Sequence, residues 1–159
     1  MKKTDLTLDV QDYKLNIRAA GIIIHNGKVL LHRDVKCDYY ALIGGRVEIG
    51  EDSVTTLKRE IQEEIGKDIE ITGYISTIEN FFEMQGSKYH EIMFVHKIEF
   101  LNPEDKKIDY TLKNIEGKDY LQYEWIDISK IDDYQIVPKV IKNILKENAF
   151  PLHKINNEL

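Results

Sequence analysis

One stretch of this chain, Asp52 to Gly66, constrains the fold more than any other. Its apolar residues Val54, Leu57, Ile61 and Ile65 fall in one narrow arc at about 100° per residue, the spacing of an amphipathic helix. Asp52 and Ser53 are both suited to cap its start, and Gly66 can take the left-handed conformation that ends it. Such a helix must bury one stripe, and the segments on either side are patterned as strands. The expectation is an α/β chain of the α+β kind, a mixed β-sheet with helices packed on it.

The strand-like segments support that layout. Ala19 to Ile24 and Val29 to Leu31 flank Asn26-Gly27, a dipeptide that favours a tight hairpin turn. Tyr40 to Ile43 is a short apolar segment running into Gly44-Gly45, paired glycines that suggest close backbone approach. Ile69 to Phe82 and Tyr89 to Leu101 read as strands joined around Gln85-Gly86-Ser87. Asn102 to Lys118 reads as a polar loop with a short strand at Tyr110 to Leu112, followed by a strand from Tyr120 to Ile126. Val137, Val140, Ile141, Ile144 and Leu145 have helical spacing, with Pro138 in the first turn. A polar tail closes the chain.

At 159 residues the chain suits one domain, 1–159, able to bury a core without disulfides or a structural metal. Cys37 is the sole cysteine, which excludes an intramolecular disulfide and a thiolate cluster. The N-terminus Met1-Lys2-Lys3-Thr4-Asp5 lacks a signal-peptide core, and no run approaches the ~20 apolar residues of a membrane span. The expected compartment is the cytoplasm, with no membrane partner. A net charge of −6 disfavours direct DNA binding, which needs a basic face to neutralise phosphates.

Most of that charge has an address. Residues 47 to 66 carry Glu48, Glu51, Asp52, Glu60, Glu63 and Glu64 against Lys58 and Arg59. Glu60, Glu63 and Glu64 share one helical face beside the buried stripe. Like charges at i,i+3 and i,i+4 repel, and acids in the last turns oppose the helix macrodipole. A solvated acidic face is the ordinary outcome of such a pattern. A hard divalent cation such as Mg²⁺ or Mn²⁺ would remove both penalties, because it prefers carboxylate oxygens. Gly45 could bring a backbone carbonyl to the same ion. Arg59 is placed to orient carboxylates, with a plain salt bridge as its simpler role.

These residues form a pattern: Gly45, five residues, Glu51, seven residues, then Arg59-Glu60-Ile61-Gln62-Glu63-Glu64-Ile65-Gly66. It resembles the signature of the Nudix (MutT-like) hydrolases at every fixed position. Lys67 stands where the family usually has an aliphatic residue, and Ile43 where many members have proline. The resemblance extends from about Ile17 to Leu145 and implies a mixed β-sheet sandwiched between α-helices. It also implies a Mg²⁺- or Mn²⁺-dependent hydrolase cleaving the diphosphate linkage of a nucleoside diphosphate joined to another moiety. Nucleotide sugars, ADP-ribose and nucleoside triphosphates are the expected types. By position Glu60, Glu63, Glu64 and the Gly45 carbonyl would be metal ligands, with Glu51 and Arg59 as supports. Dimerisation is common in that fold, and these residues do not argue for a homodimer.

Within that reading, ions must bind first so that an acidic site can receive a polyanion. A carboxylate is the natural general base. Glu64 and Glu60 are candidates in the helix. Glu91 is the candidate outside it, because strand alternation sets it on the side of Met93 and Val95, and Glu79 is a weaker alternative. Arg33, Arg46, Tyr39 and Tyr40 flank the glycine strand, where Arg33, Tyr40 and Arg46 are candidates for contacting a small nucleotide substrate. His90-Glu91 is no zinc-protease motif, since Phe94 occupies the second histidine's place. The competing function is a catalytically silent Nudix domain that binds a nucleotide as a sensor or regulator. The intact set of Glu60, Glu63 and Glu64 argues against it.

Overall fold

A computed structural model describes residues 4–106 and 112–159. In chain order the elements are β1 (Thr7–Val10), β2 (Tyr13–Ile22), β3 (Ile24–His25), β4 (Lys28–Asp34), β5 (Tyr40–Arg46), α1 (Ser53–Ile65), β6 (Ile69–Met84), β7 (Ser87–Phe100), β8 (Leu121–Asp127), β9 (Ile136–Val137), α2 (Val140–Glu147) and β10 (His153–Asn157). The strands run β10-β6-β7-β2-β5-β4-β3, while β1 joins β2, β8 joins β4 and β9 joins β5. The sheet is mixed: β2 runs parallel to β7 and antiparallel to β5.

Strand alternation divides the apolar residues between two cores. On one side Ala20 and Ile22 of β2 join Leu42, Ile78, Met93 and Val95 beneath Ile141, Ile144 and Leu145 of α2. On the other, Ala19 joins Ile43, Val47, Ile98 and Phe100 beneath Leu57, Ile61 and Ile65 of α1. The sheet is therefore sandwiched between helices, as expected.

The hairpin at Asn26-Gly27 forms with both residues at positive φ, and the β6–β7 hairpin turns at Gln85-Gly86 in the same way. Asp52 caps α1 by accepting from the Thr55 N–H at 2.8 Å. Gly66 ends it at φ 66°.

Three parts of the layout differ from expectation. Val137 belongs to β9, where it pairs with Ala41, so α2 begins at Val140 and Pro138 stands before it, after a cis peptide bond. Backbone pairing there outweighs the helical spacing of the side chains. The polar tail forms β10, parallel to β6 from His153↔Thr77 to Asn157↔Phe81. It buries only Asn156, so it carries no hydrophobic alternation to read. β1, also unexpected, is a mostly exposed strand that folds back on β2. Tyr110 and Thr111 of the expected short strand lie outside the described residues. Nearby, Lys113 forms an isolated bridge to Gln122.

Candidate functional site

The capped ends of α1 set its last two turns against β5. A Cβ at Gly45 would collide with the Glu60 carboxyl group, so the absence of a side chain at that position is what lets the carboxylate reach the strand. Gly44 beside it has φ +143°, and a Cβ there would strike the Ala19 carbonyl. The paired glycines thus serve the close approach expected of them.

Arg59 gathers the acids. Its Nε donates to both Glu51 oxygens at 3.2 and 3.1 Å. Nη1 donates to Glu60 at 2.7 Å and to Glu63 at 3.2 Å, with Glu48 at 3.8 Å. Nη2 donates to Glu51 at 3.0 Å and to the Arg46 carbonyl at 3.2 Å. Glu51 also accepts from the Thr56 hydroxyl at 3.0 Å. Arg59 and Glu51 thus lie at the centre of one ionic array.

Glu64 lies deeper, 7% exposed, and its Oε2 accepts a hydrogen bond from the Tyr123 hydroxyl at 3.3 Å. Burial, followed by the negative charge of Glu60, pushes its carboxyl pKa up to about 7. Burial also raises Glu60, against the pull of Arg59. Two desolvated carboxyl groups that repel one another fit a cation in the chemistry of their oxygens. Among the described residues, however, no three His, Cys, Asp or Glu side chains are gathered to hold a metal. Glu63 leans on Arg59 instead.

Arg18 is a participant that sequence reading missed. Its Nη2 donates to the carbonyls of Gly44 at 3.2 Å and Leu42 at 3.4 Å, and its charge lowers the pKa values of Glu60 and Glu64. An arginine inside the apolar run of β2 was the available signal. Tyr123 was missed too, because a tyrosine on a buried strand reads as core.

The other candidates lie apart from the Arg59 array. Glu91 is buried, 5% exposed, on the side of Met93 and Val95, and accepts from the amides of Asn16 at 2.6 Å and Asn80 at 3.1 Å. Asn156 of β10 donates in turn to Asn80 at 2.9 Å. Glu79 pairs with His153 at 2.7 Å. Arg33 donates to Gln122 at 3.1 Å and stands over the Tyr40 ring at 5.4 Å. The Tyr40 hydroxyl donates to Glu124 at 2.8 Å, and burial with that carboxylate pushes its pKa up to about 12. Arg46 instead faces Asp5 at 3.6 Å. Arg33 and Tyr40 therefore form one cluster, and Arg46 does not join it. Tyr39 contacts Met84.

Comparison with known proteins adds four findings. The model of the family described as NUDIX domain matches residues 15–146. The chain is 28% identical over 170 residues to an RNA pyrophosphohydrolase of Ruthia magnifica subsp. Calyptogena magnifica, covering 95% of this chain and 92% of that protein. Its fold is similar to the mutator MutT protein from Bacillus halodurans, with TM-score 0.63, 17% identity and coverage of 90% and 91% of the two chains. It is also similar to a UDP-X diphosphatase, with TM-score 0.59, 18% identity and coverage of 88% and 66%. At these identities the solved structures establish the fold alone.

Proposed function

The chain belongs to the Nudix hydrolase family, and on that premise we propose that it is a Mg²⁺- or Mn²⁺-dependent pyrophosphohydrolase. Its substrate is a nucleoside diphosphate joined to another moiety, and the bond it cleaves is the diphosphate linkage. The observation that carries this reading is the half-buried Glu60 set against Gly45 beside the buried Glu64.

Glu60, Glu64 and the Gly45 carbonyl would hold the ion, with Glu63 joining by turning from Arg59. Such an ion would supply charge neutralisation for phosphate oxygens and a lowered pKa for water. The chain's own residues supply the rest. Arg59 keeps Glu51 and Glu60 in one array, so those two acids need little reorganisation when a substrate arrives. Arg18 places a guanidinium beside the same carboxylates, a positive charge suited to a diphosphate oxygen. Glu64 is the carboxylate placed to accept a proton from water, at the oxygen that Tyr123 does not engage. Glu91 is the weaker candidate for that task, because both its oxygens already accept amide hydrogens in a buried niche.

Turnover with Mg²⁺ or Mn²⁺ should be measured on a panel of nucleotide sugars, ADP-ribose, nucleoside triphosphates and RNA bearing a 5′ polyphosphate. The last belongs there because of the name of the Ruthia relative. Metal-dependent release of phosphate-bearing products from one class is the expected result. Nucleotide binding without turnover across the whole panel would favour the silent sensor.

A further inference from the structure

We infer that Tyr123 and Asn114 are positioning residues for Glu64, and that together they fasten the segment 112–118 to the last turn of α1. The inference rests on the proposed function, in which Glu64 acts at the reacting centre.

The direction of the chain of hydrogen bonds follows from donor inventory. Asn114 Oδ1 accepts from the backbone N–H groups of Glu116 at 2.9 Å and Lys118 at 3.1 Å. Its amide oxygen is thereby turned toward its own segment, and its NH₂ group faces the Tyr123 oxygen at 3.1 Å. A phenol has a single O–H. With Asn114 donating to the phenolic oxygen, that O–H is directed to Glu64 Oε2. The carboxylate therefore receives a donated hydrogen from a side chain that is itself oriented from behind.

The same segment grips the backbone. The Ile115 N–H donates to the Glu64 carbonyl at 2.8 Å, one of the acceptors that a helix leaves without an internal partner in its last turn. Glu64 is thus held at its carbonyl and at one carboxylate oxygen by two elements outside α1. Tyr123 is fixed in its turn by the register of β8, which sets it opposite His32 of β4, with the rings tilted at 5.9 Å. A carboxylate restrained in this way loses little rotamer freedom when it takes up a ligand, and such supporting hydrogen bonds tune a metal ligand's affinity and geometry.

The test uses the full chain and Tyr123→Phe, which deletes one oxygen and keeps the ring, with Asn114→Ala, at a half-buried position, as a second variant. Free Mn²⁺ is titrated by electron paramagnetic resonance without substrate, and kcat and KM are measured on the nucleotide that the wild-type protein turns over. The expected result for Tyr123→Phe is Mn²⁺ binding weakened about tenfold, a lower kcat and a KM near that of the wild type. Asn114→Ala should move both in the same direction by less, and the double variant should be no worse than Tyr123→Phe, since one chain of bonds is cut in each. Variants that match the wild type in Mn²⁺ affinity and kcat would overturn the positioning role and leave the proposed function standing. A wild-type protein that neither binds Mn²⁺ nor turns over any nucleotide would overturn both.

Discussion

Arg59 sits 18% exposed at the side chain, among carboxylates of which Glu51 is 4% exposed. Removing it would leave buried negative charges facing one another. Arg59→Ala should therefore lower stability by about 2–4 kcal/mol, seen as a fall in the urea midpoint. Arg59→Lys should recover only part of the loss, because an ammonium cannot reach Glu51, Glu60 and the Arg46 carbonyl as the planar fork does. Gly45→Ala makes a different prediction. The added methyl displaces the flexible Glu60 carboxylate rather than backbone, so metal-dependent activity should fall well over tenfold while the thermal midpoint moves only a few degrees. These acids and glycines were legible in the sequence because their chemistry is tied to fixed spacing along one helix and the loop before it. Arg18 and Tyr123 were not, since they reach Glu60 and Glu64 only through the pairing of β2 with β5 and the 59-residue separation of Tyr123 from Glu64.

At the scale of elements, β4 carries a group that makes stability depend on pH. His32 Nδ1 is enclosed with no hydrogen-bond partner among the described residues, and burial, followed by the charge of Arg18, depresses the imidazole pKa to about 3. Below pH ~6.5 the unfolded chain takes up a proton at this histidine that the folded chain refuses until pH ~3. The His32 contribution is therefore intact above pH 6.5 and falls by about 1 kcal/mol per pH unit between those limits. His32→Leu should flatten that part of the stability curve, and by removing an unsatisfied polar atom it should raise the midpoint at pH 7. Denaturant titrations from pH 4 to 7 check both. Elements whose ends are marked by side-chain chemistry were foreseen well: Asp52 and Gly66 bracket α1, and Asn26-Gly27 and Gln85-Gly86 turn their hairpins. The start of α2 was misjudged because Ile136–Val137 find backbone partners in β5, which periodicity does not record.

For the molecule as a whole, the two cores on opposite faces of one sheet leave its polar end to be closed by amides. Asn156 in β10 bonds Asn80, and Asn80 with Asn16 holds Glu91, so three strands and the tail meet at one buried carboxylate. Asn156→Leu should cost about 1–3 kcal/mol by leaving Asn80 short of a partner, with kcat little changed if Glu91 is structural. Only the side of β7 on which Glu91 lies was legible beforehand, since the tail is polar and its pairing with β6 spans 76 residues.

The net charge of −6 acquires a meaning at this scale as well. It is concentrated around Arg59 and beside Glu64, where burial makes it unfavourable unless a cation arrives. No described helix is long and apolar enough to cross a membrane.

The central claim is that Glu64 is essential to metal-dependent cleavage of a diphosphate linkage. The most direct measurement is the rate of product formation by the wild-type protein and by Glu64→Gln on the same nucleotide, with saturating Mg²⁺ and with the metal chelated. The expected result is turnover by the wild type that chelation abolishes, and a loss of about 100-fold or more in Glu64→Gln with the fold intact by circular dichroism. Wild-type rates in Glu64→Gln, or turnover indifferent to chelation, would contradict it.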